Sequence, residues 1–180
     1  MRAFFEKSSN IISWDFSYFN TSNISNMALL FSHCNKLKEI KWINNFITNK
    51  VSDMNSMFQG CYELEYFYLS NFDSSNVSKM NHKFAICHKL KEIKGINKFI
   101  TNKVTDMQTM FNACGALEYL DLDNFNTSNV TNMPWMFNNY NKLKYLNLSN
   151  FIINCGTKNM LNFKNKKNCQ FITNNKDLLQ

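Results

Sequence analysis

Glycine and proline are scarce in this sequence of 180 residues, which contains four glycines and a single proline, Pro134. That scarcity excludes a flexible linker and a collagen-like fibre. Long apolar runs are also missing, since no window of about 20 residues is hydrophobic enough to span a bilayer. The composition suits one folded domain with a sizeable core, because 44% of the residues are hydrophobic and 15% are aromatic.

The N-terminal segment lacks the features of an export signal. Arg2, Glu6, Lys7 and Asp15 interrupt its apolar residues, and no small-residue cleavage site follows them. We therefore expect either that the protein stays in the cytoplasm or that an export signal lies outside this sequence.

An internal repeat dominates the sequence. Methionines recur at intervals of 26 or 27 residues, at Met27, Met54, Met80, Met107, Met133 and Met160. Two unit types alternate, so that 34–51 matches 87–104 almost residue for residue, and 61–77 matches 114–130. Units of this length cannot bury an apolar face alone, and this pattern predicts that they stack into a solenoid.

Each unit has two parts with different hydrophobic periods. The first is a Leu-x-x-Leu-x-Leu run such as 117–122. Its last four residues alternate between polar and apolar side chains, which predicts a parallel strand with one buried face. The strands are expected near 11–16, 38–43, 65–69, 91–96, 118–122 and 144–148. The second part, such as 51–58, spaces its apolar residues by three and four, which predicts a short helix. The sequence thus predicts an α/β repeat with a short parallel sheet on one face and short helices on the other.

The two ends of the sequence depart from the middle. The chain begins partway through a unit. In the unit that begins at Met160, Lys164 takes the position that phenylalanine has in the other units, and Lys167 takes the position of the repeated cysteine. We therefore divide the chain into a solenoid over 1–153, with a partial N-terminal unit and about five further units, and a degenerate C-terminal cap or tail over 154–180.

Several stretches share one motif, namely LDLDNFNTSNVTNMPWMF at 120–137, LNLSNF at 146–151, SNVSKM at 75–80 and MFQGCYEL at 57–64. This motif resembles the repeat of the BspA-like leucine-rich repeat family, and the resemblance covers nearly the whole chain. Members of that family look like surface or secreted proteins of bacteria and of anaerobic or parasitic protists. The resemblance implies a leucine-rich-repeat-type solenoid at the cell surface or outside the cell, which acts in adhesion or binds host or other cells.

Four cysteines recur with the repeat, at Cys34, Cys61, Cys87 and Cys114. Stacked units would bring neighbouring cysteines to about 5 Å, which is close enough for a disulfide or a metal site. However, Ser8 and Tyr140 replace cysteine at the two ends of this column, so pairing is not required. We therefore predict buried, unbridged thiols, with Cys155 and Cys169 as candidates for exposed ones.

Motifs for catalysis are missing from the sequence, which has no His-Glu-x-x-His, Gly-x-Ser-x-Gly, Cys-x-x-Cys or phosphate-cradling glycine loop. Asp53 and Asp106 are copies of one repeat position and are expected near helix N-termini. A catalytic site would instead need a single set of different residues that the other units do not repeat. His33, His82 and His88 are expected to be loop imidazoles. We predict a protein that is not an enzyme and has no catalytic residues, metal site or cofactor.

The outer face of the predicted strands carries the candidate binding residues. Tyrosine and cations are common at recognition surfaces. The predicted binding face consists of Lys41, Tyr66, Tyr68, Lys94, Tyr119, Asp121 and Tyr145. The alternative is that these cross-strand neighbours only stabilise a solvated sheet.

The favoured hypothesis is a binding module that presents this face to a protein or a glycan. Two alternatives stay open: an intracellular structural scaffold, and a binder of anionic polysaccharide or nucleic acid that uses the net charge of +7. Nucleic acid is the less favoured partner, because no nucleic-acid-binding signature is present. A steep fall of affinity with salt would identify the binder of anionic polymers.

Overall fold

The computed structural model describes residues 1–154, 159–162 and 166–178. These residues form a solenoid in which each turn contributes one short strand to the same face. The strands are β1 Ser13–Asp15, β2 Glu39–Lys41, β3 Tyr66–Tyr68, β4 Glu92–Lys94, β5 Tyr119–Asp121, β6 Tyr145–Leu148 and β7 Gln170–Thr173. The helical elements in the described residues are 3-10 turns at Ile43–Asn45, Ile96–Lys98, Lys166–Asn168 and Lys176–Leu178.

The strands pair in parallel, as predicted, but they do not form one sheet. β1 pairs with β2, β3 pairs with β4, and β5, β6 and β7 form a three-stranded sheet. The first six strands are shorter than predicted at one or both ends. β7 lies within 154–180, the segment predicted to be a cap or tail, and adds one more parallel strand beside β6.

The prediction that short helices lie opposite the strands is wrong, because the structure has turns in these segments. In 27–34, alternate backbone N–H groups donate to the next unit, as from Leu29 to the Asn55 carbonyl at 2.9 Å. The intervening N–H groups close β-turns three residues back, as from Ser32 to the Leu29 carbonyl at 3.0 Å. An α-helix would direct each N–H to the fourth residue back and leave none for a neighbour. We call the equivalent stretches 27–34, 54–61, 80–87, 107–114 and 133–140 the turn ladder.

Left-handed backbone gives the turn ladder its shape. Leu29 and His33, four positions apart, have φ angles of 60° and 58°. The equivalent pairs are Ser56 and Gly60, His82 and Ile86, Thr109 and Ala113, and Trp135 and Asn139. A left-handed residue cannot continue a right-handed helix, so the chain turns at each of these positions.

The turn ladder is continuous from unit to unit in this part of the chain. Parallel bridges join Asn26 to Asp53, Asp53 to Lys79, Lys79 to Asp106, and Asp106 to Asn132. The prediction that Asp53 and Asp106 lie near helix N-termini is wrong. Instead their Oδ1 atoms accept bonds from the N–H groups of Asn55 and Gln108 at 2.9 and 3.0 Å. These short local bonds hold each turn in its shape.

A column of stacked phenylalanines forms the centre of the core. Neighbouring ring centroids lie 5.4–6.0 Å apart with interplanar angles of 5–10°. The column contains Phe5, Phe31, Phe58, Phe84, Phe111 and Phe137, all buried. The middle residues of the strands, such as Phe67 and Leu120, pack inward from the other side. Burial of these apolar faces between units stabilises the stack.

The thiol prediction is confirmed for Cys34, Cys61, Cys87 and Cys114, which are buried and free. Each thiol donates to a phenylalanine carbonyl one unit earlier, as from Cys61 Sγ to the Phe31 carbonyl at 3.2 Å. Burial raises the pKa of Cys34 to about 11 and that of Cys87 to about 12, so these thiols stay protonated. Cys169 is partly exposed, whereas Cys155 and Lys164 lie outside the described residues.

One lysine lies in the core. Lys83 takes the position that Met57 and Met110 have in the neighbouring units, and its side chain is 0% exposed. Its Nζ donates to Met54 Sδ at 3.0 Å and lies 5.3–5.7 Å from the ring centroids of four phenylalanines. No ion pair to it is found among the described residues, and burial lowers its pKa from 10.5 to about 7.

Candidate functional site

The predicted tyrosines stand on the outer face of the strands. In β3, Phe67 points into the core, so Tyr66 and Tyr68 on either side of it face outward and are 46% and 44% exposed. Tyr119 of β5 is 58% exposed for the same reason. Alternation along a strand anchored by buried residues therefore displays these rings without loop flexibility.

The first cluster of predicted residues surrounds β3. Lys94 Nζ lies 5.2 Å from the Tyr68 ring centroid, and Lys91 Nζ lies 5.6 Å from that of Tyr66. Lys91 also pairs with Glu65 at 2.6 Å, and that bond lowers the pKa of the Glu65 carboxyl. Lys91 and Glu65 were not among the predicted binding residues, although their opposite charges recur one unit apart in the sequence.

The second cluster lies on β5 and β6. The rings of Tyr119 and Tyr145 stack with centroids 4.3 Å apart and an interplanar angle of 8°. The Tyr119 hydroxyl donates to Asp121 Oδ2 at 3.4 Å. The pKa of Tyr119 is raised, mainly by partial desolvation and to a smaller extent by the negative charge of Asp121. Tyr145, which stacks on Tyr119, is only partly exposed, so this cluster presents mainly the Tyr119 ring to solvent.

Two grooves separate the paired strands. No backbone hydrogen bond joins β2 to β3, or β4 to β5, although all of these residues are described. Groove A, between β2 and β3, has a volume of about 580 Å³ and brings Lys41 of the predicted face next to Tyr66 and Tyr68. Groove B, between β4 and β5, has about 280 Å³ and brings Lys94 next to Tyr119 and Asp121. The structure thus divides the predicted face at two points.

A one-residue difference between unit types accounts for the grooves. Leu69, directly after β3, continues the sheet and donates its N–H to the Lys94 carbonyl at 2.8 Å. The residue after β2 is Trp42, which has a φ of 63° and leads into the 3-10 turn at Ile43–Asn45. Gly95 does the same after β4, with a φ of 84°. The longer units therefore leave the sheet early, and the next strand lacks a partner on that side.

Sequence reasoning missed Trp42, which lines groove A and is 57% exposed. The available signal was the alignment of the two longer units, in which Trp42 takes the position that Gly95 has in the other unit.

Two further features concern metal binding and membrane spanning. No group of three or more metal-ligating side chains is found among the described residues, and no described helix is long and apolar enough to cross a membrane.

The histidines occupy three different environments. His82 Nδ1 is hydrogen-bonded to Thr109 Oγ1, and partial burial lowers the pKa of this imidazole. His88 Nδ1 contacts the Ala113 carbonyl at 3.1 Å. The His33 ring lies against Gly60 on the turn ladder. None of the three lies on the strand face.

Comparisons with known proteins place the chain in a family. It is similar to a leucine-rich repeat protein from Bacteroides ovatus ATCC 8483, with 19% identity and a TM-score of 0.43 over 87% of this chain and 44% of that one. The chain thus spans less than half the length of that relative. No curated protein matches the sequence. The sequence model described as "Mycoplasma protein of unknown function, DUF285" matches residues 1–93 and 66–175. Since these two matches together cover nearly the whole sequence, the chain belongs to the DUF285 family.

Proposed function

We propose that the chain is a non-enzymatic binding module, of the leucine-rich-repeat type and similar to BspA-like proteins, that presents its tyrosine- and lysine-rich strand face to a protein or a glycan. The observation that carries this proposal is the exposure of Tyr66, Tyr68 and Tyr119 at 44–58% on strands anchored in the core. Exposed aromatic side chains on a rigid surface are typical anchors of interfaces.

Rigidity supports the proposal. Phe67 and Leu120, the central residues of β3 and β5, are each 2% exposed and fix the backbone beneath the tyrosines. Binding to such a surface costs little conformational entropy, because the aromatic residues are already positioned.

The competing explanation, a solvated sheet without a partner, accounts for only some of the face. It explains the exposed ion pairs Lys91–Glu65 and Lys144–Glu118, which cross between strands at 2.6 Å. It does not explain why large rings and not small polar residues occupy β3 and β5, since about half of the surface of each ring stays exposed to water in the isolated chain.

The biological setting belongs to the same proposal. The resemblance to BspA-like proteins supports a role in adhesion or in contact with host or other cells, at the cell surface or outside it. An intracellular scaffold that stacks against other proteins is the alternative, and it would use the same strand face in the cytoplasm.

The proposal is tested with the full chain and alanine variants of the strand face. A partner is first identified by capture from host-cell extract and by a glycan array, and its affinity is then measured by calorimetry. Tyr68→Ala and Tyr119→Ala should each weaken binding at least about tenfold, as for interface anchors. Asn55→Ala, on the turn ladder, is the matched control and should leave affinity unchanged.

One pattern of results would refute this function. If the strand-face variants bind as the wild type does, and substitution of Lys164 and Lys167 abolishes binding, the basic C-terminal segment is the recognition surface. An affinity that falls steeply with salt would accompany that result, because it marks contacts dominated by charge.

A further inference from the structure

Groove A combines features that groove B lacks. Its volume of about 580 Å³ is in the range of small-ligand sites, and its walls carry Trp42, Tyr66 and Tyr68 together with Lys38 and Lys41. In groove B a glycine replaces the tryptophan, and the volume falls to about 280 Å³. The two grooves therefore share a backbone plan but not a chemical surface.

Trp42 is not explained by the fold. Its φ of 63° lies in the left-handed region, where glycine has no steric penalty and a bulky residue does. Gly95 adopts the same conformation at the equivalent position, so the fold accepts glycine there. Trp42 is 57% exposed and stacks on no other ring or cation in the described part of the chain. Trp135 on the turn ladder is also left-handed and exposed, so these two features alone do not mark a site. Trp42 differs in lining a groove together with Tyr66 and Tyr68, and this combination points to an external ligand.

The charges of groove A favour an anion. Lys38 and Lys41 have no carboxylate within 4.0 Å among the described residues, whereas Lys91 and Lys144 are each paired at 2.6 Å. Groove A also contains Glu39, so its lining carries two lysines and one carboxylate. In groove B, Lys94 lies 4.0 Å from Glu92, and Asp121 adds a second carboxylate, so that lining carries one lysine and two carboxylates. An acidic ligand is therefore attracted more strongly to groove A than to groove B.

We propose that groove A binds an acidic oligosaccharide, an inference that rests on the proposed function of the strand face. The apolar C–H face of a pyranose ring packs on Trp42 and on the side of Tyr68 away from Lys94, while a uronate carboxylate or a sulfate meets Lys41. An acidic peptide would also attract the lysines, but aspartate and glutamate side chains have no apolar ring face to pack on Trp42. Uronate and sulfate share this chemistry, and the probes below distinguish them.

The test uses the full chain and calorimetry with four probes: a hyaluronan octasaccharide, a heparin octasaccharide, a neutral N-acetylglucosamine oligomer and a poly-glutamate peptide. One or both acidic oligosaccharides should bind at least tenfold more tightly than the neutral oligomer and the peptide. Trp42→Gly should weaken that binding at least tenfold without loss of folding, because Gly95 shows that glycine fits. Lys41→Ala should weaken it and reduce its salt dependence.

A matched variant of groove B completes the design. Asn97→Ala changes a residue that lines groove B but is not part of the predicted binding face, and it should change the affinity for the acidic oligosaccharide less than twofold. The inference is wrong if neither acidic oligosaccharide binds, if poly-glutamate binds equally well, or if Trp42→Gly binds as the wild type does. If it fails while Tyr68→Ala still abolishes binding of a protein partner, the proposed function stands. If no strand-face variant alters the binding of any partner, both are wrong.

Discussion

The turn ladder and the strand face of this solenoid are built from the same units but connected differently. Along the turn ladder, a parallel bridge joins each unit to the next from Asn26 to Asn132. On the strand face, the connection is lost after β2 and again after β4. The comparison teaches that one continuous ladder and the core beneath it suffice to hold the stack, which leaves the other face free to open into grooves.

Lys83, on the turn-ladder side, gives the largest expected effect. Its folded-state pKa of about 7 lies below the 10.5 of an exposed lysine, so the folded state binds fewer protons and the lysine destabilises the fold as pH falls from 10.5 to 7. This difference corresponds to roughly 5 kcal/mol. Lys83→Met should therefore raise the free energy of unfolding most at or below pH 7, and its advantage should shrink as pH rises to 10.5, as measured by urea unfolding.

The control for that experiment is Lys91→Met, which replaces an exposed lysine of the same unit. It should leave the pH dependence as in the wild type, apart from the loss of one surface ion pair. A stability difference between Lys83→Met and the wild type that does not change with pH would show that the Lys83 ammonium reaches solvent.

Phe111→Ala tests the core beneath the turn ladder. Removal of one ring from the stacked column leaves a cavity between two neighbouring rings, and the expected loss is about 3–5 kcal/mol. Tyr119→Ala, on the strand face of the same unit, should cost less than about 1 kcal/mol. Equal losses in urea unfolding would mean that the two faces contribute alike to stability.

A pair of substitutions at the groove entrances sharpens the comparison. Gly95→Ala should lose about 1–3 kcal/mol, because the new Cβ would lie 2.6 Å from the Ser70 nitrogen and the backbone is left-handed. Trp42→Gly should leave stability unchanged or raise it by up to about 1 kcal/mol. Thermal unfolding of the two variants checks this, and a large loss in Trp42→Gly would show that the tryptophan has a structural role.

The smallest effect is expected at the Lys91–Glu65 ion pair on the strand face. Both side chains are about half exposed, so water and salt screen their attraction. Lys91→Ala should leave the unfolding midpoint within experimental error, in low salt as in high salt. A clear loss that appears only in low salt would mean that ion pairs between strands help to hold the broken sheet together.

The outward direction of Tyr66 and Tyr68 could be predicted from the sequence, because residues alternate between the two faces of a strand and Phe67 between them is apolar. The buried column of Cys34, Cys61, Cys87 and Cys114 could be predicted too, since equivalent positions of stacked units have equivalent surroundings. Groove A could not be predicted, because it depends on a missing contact between β2 and β3 and not on any local pattern.

The amino-acid sequence by itself determined the stacking of repeated units, the parallel strands and the inward or outward direction of their side chains, because these follow from a repeat of 26 or 27 residues and a period of two. Tertiary structure alone decided that segments such as 27–34 become turns. An apolar spacing of three and four suits both a helix and a series of turns, and the choice depends on whether an N–H such as that of Leu29 finds its acceptor within the segment or in the next unit, at Asn55.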